Sequence, residues 1–191
     1  MTYILAGALK GARLTVPPHI RATEAKVRLA LFNVLQAVTE GARVLDGCAG
    51  SGALGLEAVS RGASSVVFVE SDSRCLRAIR ENLARARDKG LQAKAEIMRA
   101  DLIRGLRLLA GRGNVFDLML LDPPYRDAVG KKALNTVAGC AMLAPAGVLC
   151  LEHAESSVVP SEVGTLTLAK QHRYGGTVLS FYTARTPRIG E

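Results

Sequence analysis

ARVLDGCAGSGALGLEAVSRGASSVVFVE, residues 42–70, decides the architecture of the chain. It begins as a short apolar run, 42–46, passes through a glycine-rich turn, becomes helical by residue 62, and ends on the strand-like SVVFVE at 65–70. Strand, glycine turn, helix and strand in that order make a βαβ unit. Gly50, Gly52 and Gly55 fit GxGxxG. Glycines at such a turn let the backbone approach a ligand beyond the carboxyl end of the first strand. Glu70 ends the second strand, where an acid can accept both hydroxyls of a ribose.

The same rhythm continues downstream. A helix is expected over 71–90, with a Ser or Asp cap, Leu76, Ile79 and Leu83 on one face and Gly90 at its end. Strands follow at 95–101 and 116–122, a helix at 102–110 between them, and a helix at 131–143 stopped by Pro145 and Gly147. A further strand is expected at 148–153. Strands apolar on both faces belong in a parallel sheet covered by helices. TLTLAKQH (165–172) and YGGTVLSFYTA (174–184) have no room for a helix between them, so the sheet should finish as an antiparallel hairpin. Upstream, residues 3–16 read as a small hairpin around Leu9-Lys10-Gly11, ended by Pro17-Pro18. A helix from Thr23 to Val38 follows, with Val27, Leu31, Val34 and Leu35 on one face and Gly41 closing it. The expectation is an α/β fold: an arm and helix over 1–40 packed on a main domain over 41–191.

Composition narrows the class. Of 191 residues, 49% are hydrophobic and 22% charged, as in a globular chain, and no apolar run approaches the roughly 18 residues of a membrane span. The N-terminus has no basic segment followed by a long apolar one, so a cytoplasmic address is expected. Cys48, Cys75, Cys140 and Cys150 form no CxxC pair and no histidine stands at ligand spacing from them, so reduced thiols in or near the core are expected, and no metal. The net charge of +8 and the pI near 9.7 suggest an acidic partner, above all nucleic acid. Both termini are basic: Lys10, Arg13, Arg21, Lys26 and Arg28 at one end, Lys170, Arg173, Arg185 and Arg188 at the other.

The glycine turn suits NAD and S-adenosylmethionine (SAM) alike. Two further acids favour SAM. Asp46 closes the first strand, where it could meet the methionine part, and Asp101 closes the third, where it could accept from an adenine amino group. Each alone reads as a helix cap. With Glu70 they set acids at the ends of three successive parallel strands. The candidate cofactor residues are Asp46, Ala49, Gly50, Ser51 and Gly52 in the turn, Glu70 and Ser71, and Asp101 and Leu102. Arg21 and Thr23, ahead of the first helix, could close over the cofactor or hold a phosphate.

LDPPY, residues 121–125, ends the fourth strand on the same sheet edge. Proline has no place inside a central strand, but costs nothing once the ladder has ended. Pro123 and Pro124 stiffen the loop and remove donors. What remains is acceptor-rich: the Asp122 carboxylate and the Pro123 carbonyl can hold an –NH₂ group by both hydrogens, and the Tyr125 ring can stack on a base.

DPPY behind a glycine turn resembles the amino-methyltransferase signature [ND]PP[YFW]. With RATEAKVRLALFNVL (21–35), LDGCAGSGALGLEAVSRGA (45–63) and YGGTVLSFY (174–182), nearly the whole chain is similar to the RsmD family, the bacterial 16S ribosomal RNA guanine-N2 methyltransferases. The resemblance implies a Rossmann-like class I methyltransferase with a mostly parallel seven-stranded sheet, an N-terminal β-hairpin arm, and SAM as methyl donor. It implies a guanine of the small ribosomal subunit, or of its assembly intermediate, as substrate, and a monomer is expected. Asp122, Pro123, Pro124 and Tyr125 are then the catalytic residues. The chain departs from the family at Ala22, Leu29, Cys48 and Gly176, where proline, an acid, an aromatic and aspartate are usual.

Three rivals are open on residues alone. Adenine N6 of DNA is an alternative target, an NAD-dependent oxidoreductase would use the same turn but leaves DPPY unexplained, and an rRNA-binding assembly factor would need no chemistry. His19, His153 and His172 are scattered and are assigned no catalytic role, and Tyr174 and Tyr182 are expected to pack in the last hairpin.

Overall fold

A computed structural model describes residues 1–20, 23–124 and 128–185. The chain forms β1 (Thr2–Tyr3), β2 (Arg13–Leu14), α1 (Ala25–Val34), α2 (Gln36–Thr39), β3 (Arg43–Gly47), α3 (Ala53–Ser60), β4 (Ser65–Glu70) and α4 (Ser73–Asp88). It continues through β5 (Lys94–Arg99), α5 (Leu102–Gly111), β6 (Phe116–Leu121), α6 (Val129–Gly139), β7 (Leu143–Ala154), β8 (Glu162–Val163), β9 (Leu166–Tyr174) and β10 (Thr177–Ala184). The main sheet runs β5-β4-β3-β6-β7-β10-β9-β8, parallel from β5 to β7 and antiparallel beyond. This is the doubly wound order, and its switch point lies between β3 and β6, where ligands of such sheets bind.

Alternating side chains divide the core between the two faces. Val44, Phe68, Leu118 and Leu120 pack with α1, α3 and α4, whereas Leu45, Val69, Met119 and Leu121 pack with α5 and α6. Buried on both sides, β3, β4 and β6 read in sequence as near-continuous apolar runs.

The sheet has eight strands where seven were expected. The addition, β8, is a two-residue edge strand paired Glu162↔Thr167 and Val163↔Leu166, too short for any periodicity to betray it. The hairpin turns at Gly175 and Gly176, because β9 continues through Arg173 and Tyr174. The expected helix 23–38 divides at Leu35, whose carbonyl accepts from both Val38 N–H and the Thr39 hydroxyl. Val34 is consequently exposed. β7 begins at Leu143 rather than 148, since Ala144–Gly147 bulge out between the pairs Phe116↔Leu143 and Leu118↔Val148 and spare Pro145 from donating.

The N-terminal segment lies against the end of α3. Buried Glu57 accepts from Leu5 N at 2.7 Å, Ala6 N at 3.0 Å and Arg61 Nε at 2.8 Å. Ser60 Oγ accepts from Leu9 N at 2.9 Å, and the Ser60 carbonyl from Ala8 N at 2.8 Å. A Cβ on Gly7 would overlap that carbonyl, and Gly7 has φ +79°, so only glycine fits the contact. Asn82 on α4 then joins the segment to the glycine turn, exchanging bonds with Thr15 and donating to Ser51 O at 3.0 Å.

Candidate active site

At Gly47 the chain leaves β3 and turns over the end of β4. Cys48 N and Ala49 N both donate to Val69 O, at 3.0 and 3.2 Å. The reversal requires left-handed backbone at Cys48, Gly50 and Gly52, with φ of 63°, 57° and 76°. At Cys48, which has a Cβ, that conformation costs about 1 kcal/mol, a strain typical of ligand-binding turns. Gly55 serves packing: a Cβ there would run into the Phe68 ring and stand 2.9 Å from Val66 and 3.0 Å from Asp46 Oδ2.

The three strand-end acids reach the binding edge, and each also holds backbone. Asp46 Oδ2 accepts from Gly55 N at 2.8 Å. Glu70 Oε2 accepts from Gly50 N at 2.8 Å, and its Oε1 from Ser71 N at 2.7 Å and Asp72 N at 2.9 Å. A carboxylate has about four acceptor sites, so Glu70 keeps roughly one for a ligand rather than enough for two strong hydroxyl bonds. Asp101 caps α5 through Oδ1, 2.9 Å from Arg104 N. Burial pushes the Asp46 carboxyl up to about 7, reinforced by the Glu70 charge and opposed by the Gly55 N–H.

Asp122 makes the last ladder bond of its strand, N–H to Gly47 O at 3.2 Å, and buried Pro123 and exposed Pro124 follow. Its carboxyl is held well above the usual carboxylate range by desolvation and by the neighbouring charges of Glu152 and Asp46. The Thr23 hydroxyl hydrogen-bonds to it and acts the other way. Thr23 therefore serves the Asp122 corner.

Glycine turn and Asp122 corner open into one cavity of about 1100 Å³. Every described cofactor candidate borders it except Gly52, the N-cap residue of α3, which turns inward, 3.2 Å from Phe68 and 3.3 Å from Ile79 at its missing Cβ. Asp122, Pro123 and Pro124 border it too. Arg21 and Tyr125 lie outside the described residues, as does Arg188. Sequence reasoning missed Glu152 at the end of β7, although an acid closing an apolar strand was the signal already used for Asp46, Glu70 and Asp122. Tyr174 packs in the last hairpin as expected, stacked on His172 and against the core, and with Gly175–Thr177 it also forms a wall of the cavity.

At the opposite end, His19 Nε2 lies 3.4 Å from Asp72 Oδ2, and Ile20 stands 3.2 Å from the position of a Gly50 Cβ. His19, Asp72 and Cys75 bring potential ligand atoms within 4.8 Å of one another. Burial pushes the Cys75 thiol up to about 11, so it offers a thiol rather than a thiolate ligand. Cys140 is exposed, contrary to the expectation for all four cysteines.

The family described as Conserved hypothetical protein 95 matches residues 2–183. The chain belongs to this family. It is 30% identical over 181 residues to ribosomal RNA small subunit methyltransferase D of Escherichia coli K12, covering 94% of this chain and 88% of that one. It is 33% identical over 184 residues to YlbH of Bacillus subtilis 168, covering 95% and 98%. The solved structure of yhhF from Escherichia coli superposes with a TM-score of 0.85 at 28% identity, over 96% of this chain and 98% of that one.

Proposed function

We propose that this protein transfers a methyl group from SAM to the exocyclic N2 amine of one guanine in 16S rRNA of the small ribosomal subunit or its assembly intermediate. The observation that carries the reading is the sharing of one cavity by the glycine turn and the Asp122-Pro123 corner. At about 1100 Å³ it is large for a single small ligand, as a cofactor and a splayed base together require.

SAM suits the wall chemistry. Among the described residues seven carboxylates border the cavity, with one lysine and one histidine, in a protein of net charge +8. Burial raises the proton affinity of Asp46 and of Asp122, and neighbouring acids (Glu70 beside Asp46, Glu152 and Asp46 beside Asp122) add to it, a condition a cationic ligand relieves. Asp46, the turn from Ala49 to Ser51, Glu70, Ser71, Asp101 and Leu102 would hold the cofactor. When bound, SAM supplies an electrophilic methyl group on a sulfonium.

The rest is the work of the corner. A base amine is a poor nucleophile because its lone pair is delocalised into the ring. Asp122 and the Pro123 carbonyl accept its hydrogens, turn the lone pair toward the methyl group, and help the nitrogen pyramidalise. This is preorganised electrostatics and alignment. The raised proton affinity of Asp122 fits it to take the amine proton as it departs. We assign the ring of Tyr125, two residues beyond Pro123, to stacking on the base.

We treat residues 1–40 as an arm on the catalytic domain 41–191, acting as a monomer in the cytoplasm. No helix among the described residues is long and apolar enough to cross a membrane. The test supplies tritiated SAM with small subunits lacking the modification, with naked 16S rRNA, and with duplex DNA. Label recovered as N2-methylguanosine from subunit or rRNA is expected; label recovered as N6-methyladenine from DNA would overturn the assignment.

A further inference from the structure

The carboxyl ends of β6 and β7 hold a second acceptor beside the first. In the parallel register Leu120 faces Cys150 and Leu121 faces Leu151, so Asp122 and Glu152 occupy the next matched positions. Neighbouring strands lie about 4.8 Å apart, and matched residues share a face. Leu120 and Cys150, two residues back, pack in the same core cluster, which fixes the face on which both acids emerge. Glu152 is 8% exposed and borders the cavity, and its charge is among the causes acting on the Asp122 carboxyl. Tyr174 and Thr177, on the hairpin packed beside β7, form the adjoining wall.

Two neighbouring acceptors suit only one base edge. Guanine carries the N2 amine next to N1–H, so its edge offers donors at adjacent positions. Adenine offers its amine next to a bare N1 lone pair. 2-Aminopurine keeps the 2-amino group of guanine but also has a bare N1. A buried carboxylate facing a lone pair leaves both groups unsatisfied.

Building on the reading above, we propose that Glu152 accepts the N1–H of the guanine whose N2 amine is held at Asp122, and so makes the site select guanine over bases with an unprotonated N1. Asp122 handles the reacting amine; Glu152 reads the atom beside it. The role is one of specificity, and no bond to Glu152 is made or broken in the transfer.

The test compares kcat/KM on small subunits reconstituted with guanine or 2-aminopurine at the position that the wild-type enzyme methylates. Wild type should prefer guanine by about 10- to 100-fold, the range of a hydrogen bond to a charged group. Glu152→Gln should lose most of that preference, because its amide can donate to the bare N1, while SAM affinity and thermal unfolding stay near wild type. Equal methylation of both bases by wild type would overturn the proposal without recourse to a variant. So would a Glu152→Gln variant that slows both substrates by the same factor, as a residue that only supports the fold would. Absence of guanine methylation by wild type would instead remove the underlying functional reading.

Discussion

Asp46→Asn should stabilise the ligand-free protein, and increasingly so as pH rises. Asp46 is buried, its ordinary value is 3.8, and the fold holds it near 7. Between those values the unfolded chain releases the proton while the folded chain retains it. Stability therefore falls with rising pH through that window and levels off above it. The full distance corresponds to a penalty of about 4 kcal/mol at pH 8 and, by the same linkage, about 2 kcal/mol at pH 5. Asparagine has no proton to lose, and its Oδ1 can still accept from Gly55 N, which lies 2.8 Å from Asp46 Oδ2. The stability gap between variant and wild type should thus widen by about 2–3 kcal/mol from pH 5 to pH 8. Urea denaturation at the two pH values reads this directly. A gap equal at both, or a variant less stable than wild type by a constant amount, would refute the claim that Asp46 is buried against its own ionisation. The same variant should bind SAM more weakly, since the carboxylate a cation would favour is gone.

Other perturbations separate packing from chemistry. Gly55→Ala should cost about 1–3 kcal/mol by overpacking, because its methyl would meet the Phe68 ring and Val66; an unchanged urea midpoint would show that α3 can move away from the sheet. Glu57→Ala removes the acceptor of two arm N–H groups and of Arg61, and should cost about 3–5 kcal/mol with faster amide exchange at Leu5 and Ala6. Affinity for small-subunit RNA should fall by about tenfold or more between roughly 50 and 200 mM salt; a flat response would count against the basic termini as the RNA surface.

The βαβ order, the sheet polarity and the switch point were legible because strands buried on both faces leave long apolar runs, and because glycine and proline punctuate where the backbone must turn. The edge of the sheet was not. β8 has two residues, and the bulge at Ala144–Gly147 hides a strand start behind a proline and a glycine that ordinarily mark a stop. Asp46, Glu70 and Asp122 were found from their positions at strand ends. Their hydrogen bonds to Gly55 N, Gly50 N and Thr23 were not, since these join residues that only the folded turn brings together. Glu152 was within reach of the same reasoning. In VLCLEH the acid stands one residue before the final histidine, so the apolar run does not close on it as it does at Asp46, Glu70 and Asp122. That histidine, His153, points elsewhere, to Ser180 Oγ at 2.7 Å.

The central claim is that the Asp122 corner methylates a guanine amine of the small subunit. Mass spectrometry of small-subunit rRNA nucleosides tests it most directly, in cells lacking the gene and in the same cells given wild type or Asp122→Ala. Loss of one N2-methylguanosine, restored by wild type and not by Asp122→Ala, is the predicted result. An unchanged nucleoside profile on deletion, or full restoration by Asp122→Ala, would contradict it.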